Sequence, residues 1–339
     1  MRRRPARADA TADVQGSTVD LTTTVGTLRL PAPILTASGT AGFGTELAPW
    51  VDLTALGAVV TKSLSVEPWA GNPPPRLYPA AAGMLNSVGL HNPGLAAWQA
   101  RYLPGLAQAG ARVVVSIWGR TAADYRAAAA AVARAAAVAR AAAVAHAGTE
   151  GPIVAVEANI SCPNLEDRQR MFAHSEAGTA AAVGAAREGL AGSGLPLWAK
   201  LSPNVTDLVA IAAAALAAGA DGLTLVNTLM GLAVDPATGR SRLGNGGGGL
   251  SGPALHPVAV RAVYECRAAF PGAALIGVGG VSTGADAAEL LAAGADAVQV
   301  GTATFADPAA PANVLAELRR WCAANGVRHL SRLRGCAHV

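Results

Sequence analysis

A chain of 339 residues can bury a large core, and 52% hydrophobic against 14% charged residues describes a folded, soluble protein. The formal charge of +4 is small for this length, and arginines spread without aromatic interleaving argue against a nucleic-acid partner. No uninterrupted, strongly apolar run of about 18 residues reads as a membrane span. Cys162, Cys266, Cys322 and Cys336 lack the C-x-x-C spacing of zinc or iron-sulfur sites and are expected to be free thiols.

The opening stretch, MRRRPARADATADVQGS, has arginines but no apolar segment after them, so residues 1–17 read as a disordered tail rather than a secretory signal. A cytoplasmic location is the matching expectation. Next, TVDLTTTVGTLRLPAP alternates apolar and polar residues about Gly26, the pattern of a β-hairpin. Short β-branched runs then recur, each followed by a polar, glycine-containing loop and an alanine- or leucine-rich helical stretch. They are PILTASG, GAVVTK, RVVVSIWG, IVAVEANIS, LPLWAKLS, DGLTLVN, ALIGVGG and DAVQVG. Eight such units predict an α/β protein, a (β/α)8 TIM barrel with an N-terminal β-hairpin, in which residues 18–339 form one domain. An open doubly wound sheet is the competing architecture, but it seldom needs so many units. Between the third and fourth runs, RAAAAAVARAAAVARAAAVAHAG is low in complexity and predicts a long exterior helix with no chemistry of its own.

In such a barrel the site lies at the C-terminal ends of the strands. In chain order these ends carry Ser38 and Gly39, Lys62 and Ser63, Ser116, residues 159–164, Lys200 and Ser202, Asn227 and Thr228, Gly279 and Gly280, and Gly301 and Thr302. This amide-rich ring holds two lysines and no carboxylate pair, which argues against glycosidase and metal-hydrolase chemistry. The turns GVGGVSTG and VGTATF predict a phosphate held by backbone N–H groups, and GNGGGGLSGPA adds a flexible loop whose backbone can approach the same ligand. Each lysine is a Schiff-base nucleophile, a fixed cation facing negative charge on a cofactor ring, or half of a structural ion pair. Cys162, directly before Pro163, is a base or nucleophile at the barrel mouth or a small buried thiol. Asn86, Asn159, Asn164 and Asn227 favour the chemical reading, because together they offer donors and acceptors to a planar, amide-rich ligand such as a pyrimidine.

The stretches ASGTAGFG, VVTKSLSVEPWAGNPPPR, GMLNSVGLHNPG, EANISCPN, AKLSPNVTD, LVNTLMG, GGLSGPA, IGVGGV and VGTATFADP resemble the dihydroorotate dehydrogenases. The resemblance runs from about Thr18 to Pro308 and is strongest to the NAD-linked class 1B branch of class 1. It implies FMN-dependent oxidation of (S)-dihydroorotate to orotate in de novo pyrimidine biosynthesis. In that reaction Cys162 would remove the C5 proton while the flavin N5 takes hydride from C6. Cofactor contacts are implied for Ser38, Lys62, Ser63, Ser116, Asn159, Lys200, Val226, Gly252, Gly279, Gly280, Gly301 and Thr302, with Lys200 facing the flavin N1 region. Substrate contacts are implied for Lys62, Asn86, Ser87, Val88, Gly89, Leu90, Asn159, Asn164, Asn227 and Thr228. The branch further implies a homodimer and a heterotetramer with an electron-transfer subunit, which carries FAD and a [2Fe-2S] cluster and passes electrons to NAD+. The serine base and the N-terminal apolar helix of class 2 are missing.

The chain departs from the family pattern in three places. Ser116 stands where an asparagine is expected at the flavin. In LEDRQRMFAHS, Arg168, Gln169 and Ala173 stand where the lid's glycine pair and Phe-Gly are expected. His91 replaces a glutamine and reads as a surface or packing residue. Competing functions are a fumarate-linked class 1A enzyme, a flavoprotein acting on another dihydropyrimidine, a Schiff-base aldolase using Lys62 or Lys200, and a barrel that binds without catalysis.

Overall fold

The computed structural model describes residues 19–147, 151–161 and 171–338. The expected tail and the loop that contains Cys162 and Asn164 lie outside the described residues. The alternating segment forms the expected hairpin, with Thr23–Val25 antiparallel to Leu28–Leu30 and Gly26 in the turn at φ 61°.

All eight β-branched runs form strands: β1 (Ile34–Thr36), β2 (Val59–Val60), β3 (Val113–Ile117), β4 (Ile153–Asn159), β5 (Leu197–Lys200), β6 (Gly222–Leu225), β7 (Ala274–Val278) and β8 (Ala297–Val300). They join in the order β1-β8-β7-β6-β5-β4-β3-β2. The two ends of that sheet meet. Leu35 bridges Ala58, the Thr36 N–H donates to the Ala58 carbonyl at 3.2 Å, and the Gly57 N–H donates to the Ile34 carbonyl at 2.8 Å. A parallel sheet closed on itself is a barrel, and the open doubly wound alternative is thereby excluded.

Strand residues alternate between the barrel interior and the surrounding helices. Leu35, Val60, Val114, Ala155, Trp198 and Ile276 form an apolar layer inside the barrel and pack on Val25 and Leu30, so the hairpin stoppers the N-terminal end. On β4, Val156 and Ala158 belong instead to the large core shared with the helices.

The alanine-rich segment forms the helix Ala122–Ala147. By length and composition this helix is long and apolar enough to cross a membrane, in contrast to the expectation that no segment reads as a span. Its tertiary setting gives it another role. Tyr125, Ala128, Ala129, Val132, Ala135 and Ala136 follow helical spacing and are buried in the core beside residues of the helix Glu176–Gly189.

A second sheet, four strands running Leu229–Gly231, Gly248–Ser251, Gly83–Asn86 and Leu77–Ala80, is antiparallel throughout. It corrects the expectation of a flexible glycine loop after the sixth strand. Gly248 and Gly249 are strand residues, and a Cβ on Gly249 would collide with the Thr228 side chain. Here glycine permits close strand packing rather than flexibility.

Candidate active site

A cavity of about 790 Å3 opens where the C-terminal strand ends meet the antiparallel sheet, a size typical of small-molecule sites. Of the expected cofactor contacts, Ser38, Lys62, Ser63, Asn159, Lys200, Val226, Gly252, Gly279, Gly280, Gly301 and Thr302 line it. From the expected substrate contacts, Asn86, Ser87, Val88, Gly89, Leu90, Asn227 and Thr228 line the same space. Residues far apart in the chain are therefore brought together around one ligand-sized volume.

Ser116 does not reach the cavity. It is fully buried, and its hydroxyl lies 3.0 Å from that of Ser63, which does line the cavity. A serine is too short to extend from this β3 position past Ser63, so it acts as a prop. The same Ser63 hydroxyl accepts from Asn159 Nδ2 at 2.9 Å and sits 3.3 Å from the Ser38 hydroxyl. A continuous polar chain thus links four strand ends or their neighbours.

Asparagine orientation is set by a second cluster. Asn227 Nδ2 donates to Ser161 Oγ at 2.6 Å and to Asn159 Oδ1 at 3.3 Å, while Ser161 Oγ donates to Asn159 Oδ1 at 3.1 Å. Asn204 holds the adjoining loop: its Nδ2 donates to the Thr228 carbonyl at 2.9 Å and its Oδ1 accepts from the Met230 N–H at 2.8 Å. Asn72 Nδ2 donates to Ser87 Oγ at 3.0 Å. Ser161 falls within the expected strand end 159–164 without a role of its own being expected, and Asn204 and Asn72 are not among the expected site residues. Their signal was present, since each is a small polar residue within or beside a motif already singled out.

Two backbone features shape the rim. Leu90, at φ 61°, occupies the left-handed region that a leucine seldom adopts, and it lines the cavity. Gly280, at φ 66°, turns within GVGGVSTG, where a Cβ would stand 2.7 Å from His256 Cβ and 2.8 Å from the Gly252 carbonyl oxygen. Just beyond it, Thr283 and Asp286 form a capping box at the start of the helix Gly284–Ala292. Burial pushes the Asp286 carboxyl up, but hydrogen bonds from Ser282 and Thr283 outweigh it and hold the group below its usual range.

Later in the chain, Met171 and His174 line the cavity, and Ala173 is buried in the short helix Phe172–His174. Arg168 and Gln169 lie outside the described residues. His91 is exposed, as a surface residue would be.

Among 26 lysines and arginines the chain has only two lysines, Lys62 and Lys200, and both line the cavity. A compact ammonium and a planar guanidinium are not interchangeable. A chain that otherwise uses arginine carries its two lysines at positions that line the cavity.

Residues 20–321 match the sequence profile described as dihydroorotate dehydrogenase. The chain belongs to the dihydroorotate dehydrogenase family. This family comprises oxidoreductases of pyrimidine biosynthesis. The chain is 47% identical over 311 residues to the dihydroorotate dehydrogenase B (NAD(+)) catalytic subunit of Desulforudis audaxviator, spanning 92% of this chain and 95% of that one. It is 41% identical over 320 residues to the protein of the same name from Geobacter sulfurreducens, across 94% of this chain and 99% of that one. A Solibacter usitatus protein, provisionally named dihydroorotate dehydrogenase A (fumarate), is 43% identical over 318 residues, 94% of this chain and 98% of that one. The crystal structure of the Eimeria tenella dihydroorotate dehydrogenase bound to ferulenol superposes with a TM-score of 0.73 at 23% identity, covering 96% of this chain and 90% of that one. That likeness supports the barrel fold of the dihydroorotate dehydrogenase family.

Proposed function

We propose that this protein is an FMN-dependent dihydroorotate dehydrogenase, oxidising (S)-dihydroorotate to orotate and passing electrons to NAD+ through a partner subunit. The observation that carries this reading is the meeting of two residue sets, cofactor and substrate, around one cavity. FMN suits the donors present. Gly252, Gly279 and Gly280 all have positive φ and leave bare backbone at one end, while the Lys200 ammonium lines the same space.

When bound, FMN supplies the two-electron acceptor. The chain's own groups supply the rest. Asn86, Asn159 and Asn227, held by the hydrogen bonds described above, offer amide donors and acceptors to the carbonyl and N–H groups of a dihydropyrimidine. Lys62 adds a cation for its carboxylate, and Ser87 to Leu90 close over it. Cys162, which follows Ser161 in the chain, takes the role of proton acceptor. Since Ser161 bonds both Asn159 and Asn227, the base is tethered one residue from the cluster that orients the substrate.

The name "catalytic subunit" carried by the NAD-linked relatives supports a separate electron-transfer partner, to which we assign FAD and the [2Fe-2S] cluster. Exposed Leu77, Met230, Leu232 and Val234 on and beside the antiparallel sheet supply apolar surface for a second chain, whether a copy in a homodimer or that partner. We place the enzyme in the cytoplasm.

The test is an anaerobic titration. Purified protein should be yellow and should bleach on addition of dihydroorotate; protein that is colourless and takes up no FMN refutes the reading. A fumarate-linked enzyme is the second reading, favoured by the Solibacter usitatus relative. Comparing fumarate with NAD+ plus the partner subunit as oxidant separates the two.

A further inference from the structure

On β4 the inward positions Ala155, Glu157 and Asn159 climb from the apolar floor of the barrel to the cavity, and the middle one is a carboxylate with no solvent exposure. Glu157 Oε2 accepts from Thr224 Oγ1 on β6 at 3.0 Å and from Gln299 Nε2 on β8 at 2.8 Å. These two donors fix the rotation of the carboxylate. Among the described residues Glu157 Oε1 accepts no hydrogen bond, and it lies 4.0 Å from Lys200 Nζ, whose side chain is 6% exposed.

That separation is too long for a hydrogen bond but short for charge attraction in a low-dielectric interior. Lys200 therefore keeps its N–H groups for the cavity while its charge is balanced from below. Stability does not account for the arrangement, because a buried ion pair with an unused oxygen is seldom better than an uncharged core. The motif EANISCPN already carried this residue, in an otherwise apolar run, and the proposed reaction assigns it no role.

We propose that Glu157 is a positioning residue which holds the Lys200 ammonium at the cavity and offsets part of its positive charge, lowering the electron affinity of the bound flavin. The inference rests on the FMN reading above. A cation at the pyrimidine edge of the flavin favours the reduced, negatively charged form. A fixed carboxylate 4.0 Å behind that cation opposes it.

The experiment is the midpoint potential of FMN in the intact holoprotein, measured by stepwise anaerobic reduction against a reference dye. Glu157→Gln keeps the shape and removes the charge; Glu157→Met keeps the length and also removes the need for polar partners. In either variant the ratio of reduced to oxidised flavin at a fixed potential should rise about tenfold, a positive shift of about 30 mV for a two-electron couple. FMN affinity should stay within about threefold, less than about 1 kcal/mol. Variants that bind FMN with an unmoved or lowered potential overturn the proposal and leave the functional reading standing. If neither variant folds, the carboxylate is structural and the proposal falls. Wild-type protein that takes up no FMN fails at the earlier step, the functional reading.

Discussion

Tyr125 donates its phenolic hydrogen to the Asn159 carbonyl at 2.8 Å, so the alanine-rich outer helix holds a strand end of the active site in place. The ring also meets Phe172 edge-on, 5.5 Å between centroids, beside Met171 and His174, which line the cavity. Tyr125→Phe keeps the ring contact and removes this bond. Stability should fall by about 1 kcal/mol, read from the urea midpoint, and KM for dihydroorotate should rise more than kcat falls. An unchanged midpoint and KM would show that the bond neither stabilises the fold nor orients Asn159.

The glycine turn at the proposed phosphate end makes a sharper demand. Ala at position 280 would have to adopt φ 66° with its Cβ 2.7 Å from His256 Cβ. Gly280→Ala should therefore weaken FMN binding by at least about tenfold, about 1.4 kcal/mol, as measured by quenching of flavin fluorescence on titration of apoprotein. Wild-type affinity in this variant would place the phosphate elsewhere.

Acid should loosen the helix that follows this turn. Asp286 accepts from the Ser282 and Thr283 N–H groups at 2.9 and 2.8 Å, and its carboxyl is held below the unfolded value of 3.8. The unfolded chain then binds the proton more tightly. The stabilisation is fully present above 3.8 and is lost as pH falls through the lower folded value. Asp286→Asn should cost about 0.3–1 kcal/mol at neutral pH. Denaturation midpoints of variant and wild type should converge below 3.8; a constant gap contradicts the linkage.

The thiols should separate by environment. Cys266 is fully buried, and burial, with a smaller push from Glu265, raises its thiol to about 12; burial also raises that of Cys322, whereas Cys336 is exposed. Iodoacetamide on native protein should label Cys336 and spare the two buried thiols until the chain unfolds. Labelling of Cys266 in the native state would contradict its placement. At the proposed base, Cys162→Ala should keep FMN and orotate binding while turnover falls at least about a hundredfold. Cys162→Ser should retain activity that increases with pH. Unchanged turnover at neutral pH in the alanine variant would remove Cys162 from the mechanism.

The barrel was legible because parallel strands buried on both faces read as unbroken apolar runs, and each such run in the chain became a strand. The polar strand ends were legible for the converse reason, since amides and lysines interrupt those runs where burial stops. Other features left no local mark. The strand at Gly248–Ser251 looked like a flexible loop, because glycine signals both freedom and close approach.

By itself the sequence determined the eightfold alternation and the chemical identity of the cavity's side chains, since both follow from periodicity and residue type. Only the tertiary structure decided that Ser116 props Ser63 from below, that Asn204 steadies the Thr228 loop, and that Glu157 stands under Lys200. The physical reason is register. Which side chains meet across a barrel depends on how its strands are staggered when the sheet closes, and no single strand carries that information.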